Sequence, residues 1–395
     1  MADPVVKFVS QKISKIRWRP RAQQGLQASD VFASGSWDDE ENKIAIWKCS
    51  ESLLQVDSKE QAVEQLEPEL LCETRHIGDV TDLKYIDSER LIGTSSTGTV
   101  TVYRYHENAK TLSVHNNWES VHHHPSGKSC PCTCVAVNTP DVVSVGEDGR
   151  IQVLRLDQRH PVRTIDNADS CTIHAVCYLK QYEVITVNST GQLKIWDLRQ
   201  PTSQPSRSFI LSGERIPLHC IDKHPNQPHI VATGGEDGVL TIWDMRQESF
   251  PVTLLDAHST NMWELKFHPT NPDHLFTCSE DGSVWHWDNT SSQVTMATQL
   301  STTMIAGSGS FNGVGTGGGH FPSASKGLGF ASSQAKTSIS SPWLSNEATS
   351  QRNIDITTLL PHNKMPINTL DIENNCLLCG TDGEAMYIIR NLTIR

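Results

Sequence analysis

Apolar residues recur along this chain as short alternating runs, not as helical stripes. The stretch "VITVNSTGQLKIWDLR" (184–199) shows the form. An apolar run of four to five residues meets a Gly turn, and a second run alternates apolar and polar positions. Period two marks strands with one buried face, and two such runs across a tight turn form a hairpin. "VVSVGEDGRIQVLRLD" (142–157), "IVATGGEDGVLTIWDMR" (230–246) and "LFTCSEDGSVWHWD" (275–288) repeat the pattern. "LIGTSSTGTVTVYRY" (91–105) and "CLLCGTDGEAMYIIR" (376–390) fit it more loosely, and "VFASGSWDDEENKIAIWK" (31–48) has a longer turn. The chain therefore carries seven units.

The turn residues Gly98, Gly149, Gly191, Gly238 and Gly282 stand 42 to 51 residues apart. A further apolar run precedes each unit, as in "VTDLKYI" (80–86), "TIHAVCYL" (172–179) and "MWELKF" (262–267). A repeat of about 40–45 residues with four strands is one blade of a propeller. The expected fold is all-β, a seven-bladed β-propeller whose preceding runs line a central channel.

The Trp-Asp pairs Trp196-Asp197, Trp243-Asp244 and Trp287-Asp288 close three of these units, and the whole chain resembles the WD40 family. That resemblance implies a hydrogen-bonded tetrad of His, Ser/Thr, Asp and Trp inside each blade. In unit six its members are His258, Ser279 (or Thr277), Asp281 and Trp287. Unit five keeps Thr233, Asp237 and Trp243 without a matching His. Thr190 takes the Asp place in unit four, and Leu154 takes the Trp place in unit three. These are structural residues, not a functional site.

The last unit supplies three strands, "PINTLDI" (366–372), "CLLCG" (376–380) and "AMYIIR" (385–390). Its fourth is expected from "VVKFVSQ" (5–11), because pairing the two chain ends protects both sheet edges. Residues 290–350 are dense in Gly, Ser and Thr and bury too little apolar surface to offset their ordering entropy. They are expected to form a flexible, disordered insertion between blades one to six (1–289) and the end of blade six with blade seven (351–395). "IDITTLL" (354–360) would finish blade six, with Trp343 as an anchor.

Charge narrows the function. The 395 residues hold 33 basic against 45 acidic side chains, a net charge of −12. A duplex binder needs a basic patch to displace counterions, so no direct nucleic-acid partner is expected. No apolar run is long enough for membrane insertion, and the first residues lack a signal-peptide pattern. Eleven cysteines, scattered in strand-like runs, suit reduced thiols of the cytosol or nucleus.

Chemistry has two candidates. "HHHPSGKSCPCTC" groups His122, His123, His124, Cys130, Cys132 and Cys134, but zinc sites prefer Cys pairs on turns. Cys132 and Cys134 start a strand and are expected to share one packed face. Cys376 and Cys379 fall on opposite faces of a strand. His258, Asp281 and Ser279 could be drawn as a hydrolase triad, yet no G-x-S-x-G elbow accompanies them. No catalytic residue, metal, cofactor or small-molecule substrate is expected.

Binding is the remaining class. "WDLR" (196–199) and "WDMR" (243–246) resemble the W-D-x-R signature by which WD40 substrate receptors dock onto cullin-RING ubiquitin ligases. Arg199 and Arg246 would be the donors in that alternative, against the plainer reading that each pairs with a nearby acid. Trp263 and Trp343 are further candidate partner contacts.

A closer resemblance runs through "KFVSQKISKIRWRP", "GSWDDEEN", "SVGEDGRI", "TIDNADS", "HCIDKHPNQPHIVATGGEDG" and "MWELKFHPTNPDHLFTCSEDGSVWHWD". These stretches resemble the WD-repeat nucleoporins of the vertebrate nuclear pore. The likeness implies a scaffold subunit of the Y-shaped outer-ring complex, on its short arm beside a helical-solenoid nucleoporin. It further implies support of pore assembly, mRNA export and protein import at the nuclear envelope, and kinetochore association in mitosis. The chain contains no Phe-Gly dipeptide, and its Gly-rich insertion offers only the isolated Phe311, Phe321 and Phe330. A scaffold role, not a permeability barrier, follows.

Overall fold

The computed structural model describes residues 4–20, 29–49, 67–211, 215–247, 251, 253–290, 342–344, 354–361 and 365–394. These form seven four-stranded antiparallel sheets. Each sheet is a blade whose first strand is innermost. The inner strands touch their neighbours in turn, and Ile367–Glu373 of blade seven meets Lys12–Trp18 of blade one to close the ring.

Blade one runs Lys12–Trp18, Val31–Trp37, Lys43–Lys48 and Glu69–Arg75. Blade six runs Met262–Phe267, His274–Ser279, Val284–Asp288 and, after the insertion, Asp355–Leu360. Second strands are buried on both faces, as in Ile230–Gly235 and His274–Ser279, where every residue is buried. They lie between two neighbouring blades, so their sequences read as continuous apolar runs instead of alternating ones. Packing therefore lies mainly in the seams between blades. Trp287 of blade six, for example, packs in one cluster with Ile230, Ile242 and Leu255 of blade five.

Closure uses the N-terminal strand. Val5–Phe8 pairs antiparallel with Ala385–Ile389, with Val5 opposite Ile388 and Phe8 opposite Ala385. The expected flexible insertion (290–350) falls largely outside the described residues, as do Phe311, Phe321 and Phe330. Within it, Pro342–Leu344 forms a short 3-10 turn. Trp343 is 2% exposed, packs edge-on to Phe267 at 5.7 Å and donates its indole N–H to the Pro272 carbonyl at 3.0 Å. The partner-contact expectation for Trp343 is thus corrected: its side chain is core, sealing the blade five–six seam.

All seven inner strands bulge near their start, six at the second residue and blade one at the third, Ser14. Four of these residues are polar: Ser14, Thr81, Thr133 and Asn368. Thr81 donates to Cys132 O, Thr133 to Ile173 O and Asn368 to Ile13 O, each acceptor lying just before the next blade's bulge. A bulged residue re-aims its side chain, and here three of them latch one blade to the next.

The same bulge corrects the cysteine expectation. With Thr133 extra, Cys132 and Cys134 no longer share a face. Cys132 packs with Ile92, Val100 and Trp118 of blade two, while Cys134 packs towards blade four. Cys376 and Cys379 also join separate clusters.

Candidate functional site

Blade six shows how the tetrad is built. His258 lies on the loop entering the blade, and its Nε2 stands 2.8 Å from Thr277 Oγ1. The Trp287 indole N–H donates to the same Thr277 oxygen at 3.1 Å. His258 Nδ1 meets Ser283 Oγ at 2.9 Å and Asp281 at 3.3 Å. Burial opposes charge on Asp281, but hydrogen bonds from His258 and Ser283 hold its carboxyl well below the ordinary range.

Ser279 is not the tetrad hydroxyl. It donates to the Thr260 carbonyl at 3.3 Å and accepts the Asp281 N–H at 3.1 Å. Thr277 and Ser279 point to the same side of the strand, but the loop seats His258 over Thr277. The same geometry separates Ser279 from His258, so the imagined triad has no base at its nucleophile.

The indole–hydroxyl bond recurs across ten residues from Trp243 to Thr233 at 2.8 Å and from Trp196 to Thr186 at 2.9 Å, and across the longer turn of blade one from Trp47 to Ser34 at 2.8 Å. In blade five Asp237 caps its turn by accepting the Val239 N–H at 3.0 Å, and Gly238 supplies the left-handed φ of 74° there. Blade three holds three members of a tetrad hidden in the histidine run, with Leu154 in place of the Trp. His122 is fully buried, with Nδ1 2.9 Å from Asp148 and Nε2 3.0 Å from Ser144. His123 turns outward to Arg150. Among the described residues no group of three or more His, Cys, Asp or Glu side chains is placed to hold a metal ion.

Two further histidines hold turns. In "HPNQP" and "HPTNP" the His224 and His268 Nδ1 atoms accept the Gln227 and Asn271 N–H groups, each at 3.0 Å. His268 Nε2 then donates to Asn374 O at 2.7 Å, tying blade six to blade seven. His224, Thr233, Asp237 and Trp243 of "HPNQPHIVATGGEDGVLTIWDMR" are accordingly fastenings of blade five and its turns.

Arg199 and Arg246 occupy matching corners of blades four and five. Arg199 donates from Nε and Nη2 to Asp197 at 3.0 and 2.9 Å, and it lies over the Tyr182 ring at 5.4 Å. Arg246 donates to Asp244 at 2.9 and 2.6 Å. The fork of each guanidinium is already engaged by the Asp of its own Trp-Asp pair, a bidentate arrangement that fixes the side chain. Arg199 pulls the Asp197 carboxyl well below its ordinary range.

The central channel encloses about 510 Å³. Arg17 of blade one crosses it, with Nη2 2.5 Å from Glu264 of blade six and 3.4 Å from Asp82 of blade two. Its Nη1 also meets Thr369 of blade seven at 3.1 Å. Burial opposes charge on both groups, yet Arg17 draws Glu264 well below the carboxylate range and Glu264 raises Arg17. One guanidinium therefore ties four blades. Trp263 is half-buried on the channel wall, not at an outer edge.

The comparisons with known proteins agree with this geometry. The family model "WD domain, G-beta repeat" matches residues 204–244 and 249–288, from the outer strand of blade four to the third strand of blade six. The chain is 50% identical to Nucleoporin Nup43 of Homo sapiens, covering 99% of this chain and 100% of that protein. It is 49% identical to Nucleoporin Nup43 of Mus musculus over the same shares. Nuclear pore complex protein nup43 of Dictyostelium discoideum is 30% identical over 39% of this chain and 36% of its own length. A match covering 99% of the chain leaves no blade unaccounted for, and the chain belongs to the Nup43 family of WD40-repeat nucleoporins.

Proposed function

We propose that this chain is a non-catalytic scaffold subunit of the Y-shaped outer-ring complex of the nuclear pore. Half-identity along the whole length of two Nup43 proteins carries the reading. Its partners would be other nucleoporins of that complex, chiefly the helical-solenoid member of the short arm. Through that complex it would support pore assembly, mRNA export and protein import, and it would follow the complex to kinetochores in mitosis.

The physical form of the molecule suits such a role. Each of the seven blades has its own four strands, so no blade needs a strand from a partner. A partner would meet a rigid, pre-formed surface, which keeps the ordering cost of binding low. The Ser144 and Thr277 hydroxyls lie beside His122 and His258, but both are fully buried and serve as blade clamps with no exposure to a substrate. The ligase-adaptor alternative lacks comparable support, since Arg199 and Arg246 are engaged by Asp197 and Asp244.

A fluorescently tagged chain tests the reading in living cells. A nuclear-rim signal in interphase, moving to kinetochores in mitosis, is expected. A diffuse signal in both phases would refute the proposal.

A further inference from the structure

Among the largest fully buried side chains of the described residues, Trp343 alone stands on no strand. Trp196, Trp243, Trp287, Phe209, Phe267 and Phe276 are buried to the same degree, and each belongs to a strand of a blade. Trp343 instead sits on the 3-10 turn Pro342–Leu344, which pairs with no sheet. Blade six is complete without that turn. Its outer strand Asp355–Leu360 pairs with Val284–Asp288 from Asp355 opposite Asp288 to Leu360 opposite Val284.

The seat that receives the indole is built by the blades. Ile242 and Leu255 of blade five and Leu275 of blade six share one packed cluster with Trp343, and Phe267 meets it edge-on at 5.7 Å. The polar contact is the Pro272 carbonyl, which accepts the indole N–H at 3.0 Å. The turn "HPTNPD" holds that carbonyl in place through bonds of its own. His268 Nδ1 accepts the Asn271 N–H at 3.0 Å, and the Asn271 carbonyl accepts the His274 N–H at 3.1 Å. The Asp273 carbonyl accepts the Asn289 N–H at 3.0 Å. A pre-formed apolar slot with one aimed acceptor has the make-up of a ligand site. Its acceptor selects Trp over Phe, because only the indole can satisfy it.

We propose that this slot between blades five and six is a docking site for a tryptophan-bearing linear motif, which Pro342–Leu344 occupies in cis as a detachable plug. The seated segment names the chemistry: a Pro-Trp-Leu turn whose indole fills the slot while Leu344 packs against the same cluster. Residues 289–341 and 345–354 connect the plug to the third and fourth strands of blade six. A tethered motif faces its site at an effective concentration of about millimolar. The chain's own turn therefore holds the slot against a dilute competitor. A partner motif held at higher local concentration would displace it. The inference does not depend on the assembly in which the chain works.

The test is fluorescence anisotropy with a labelled peptide copying residues 338–348, "SISSPWLSNEA". The full-length Trp343→Ala chain, its slot vacated, should bind the peptide saturably. The wild-type chain should bind at least about a hundredfold more weakly, because its own plug must first leave. Replacing the peptide's Trp by Phe should weaken binding about tenfold through the lost bond to Pro272, and replacing it by Ala should abolish binding. Saturating peptide should raise the Tm of the variant towards the wild-type value and leave the wild-type Tm unmoved. No saturable binding to the variant, equal affinity for the two chains, or equal binding of the Ala peptide would overturn the proposal. A Trp343→Ala chain that does not fold, with or without peptide, would make Trp343 an inseparable part of the core and also overturn it.

Discussion

In blade two the Tyr103 hydroxyl lies 2.8 Å from His76 Nδ1, doing from one side chain what blade six does with two. Blade six joins His258 and Trp287 through the hydroxyl of Thr277. Ten residues before Tyr103 stands Gly93, which has no hydroxyl, and the tyrosine brings its own.

Removing either hydroxyl therefore tests the same clamp. Tyr103→Phe leaves a buried imidazole nitrogen unpaired and should cost about 1–2 kcal/mol. Thr277→Val frees both His258 and Trp287 and should cost more, about 2–4 kcal/mol. Ser279→Ala, with its two backbone bonds beside the clamp, should cost least. Urea unfolding of the three variants checks the order.

The strand Val5–Phe8 closes the ring through four paired positions on blade seven. Deleting residues 1–10 would bare the edge of Ala385–Ile389 and expose the cluster around Met386 and Ile388. A loss of roughly 5 °C or more in Tm is expected, read by calorimetry against the full chain. An unchanged melt would contradict this closure.

Trp343 packs edge-on to Phe267 in the cluster that joins blades five and six. Trp343→Ala should cost about 3–5 kcal/mol in unfolding free energy. Trp343→Phe keeps most of the packing but loses the bond to Pro272, and should cost about 1 kcal/mol of hydrogen bonding plus a small packing loss. A surface role would leave both near zero.

Acid should weaken the fold before its carboxylates titrate. Burial lowers His76, His174, His224 and His286 to about 4, whereas unfolded histidine titrates near about 6.5. Between those values the unfolded chain binds more protons, so stability falls as pH drops. Asp222, raised by burial, acts in the opposite sense at lower pH. The urea midpoint should thus be lower at about pH 5 than at about pH 7.5. A flat profile across that window would contradict the burial of these imidazoles.

The fold was legible because its repeat is written locally. Paired apolar runs marked all seven units, turn glycines and three Trp-Asp pairs reinforced them, and the free edge of unit seven pointed to residues 5–11. The clamps were harder to place. Thr277 and Ser279 are two apart on one strand, and only the loop carrying His258 decides between them. The spacing of ten between Trp243 and Thr233 was the available signal. His122 was masked by the two histidines after it, and blade two by the exchange of Trp for Tyr103. Trp343 was readable as an anchor, but the seam it seals and the bulges were not, because tertiary contacts between blades set them. For Arg199 and Arg246 the sequence left two readings open, and the plainer one matches the observed pairing with Asp197 and Asp244.

The central claim is membership of the pore scaffold, and affinity purification from cells tests it most directly. Tagged wild-type chain and the Arg199→Ala/Arg246→Ala variant would be purified in parallel and their partners identified by mass spectrometry. The account predicts that both recover the outer-ring nucleoporins in similar amounts. Recovery of a ubiquitin-ligase adaptor that depends on the arginines, without nucleoporins, would contradict it.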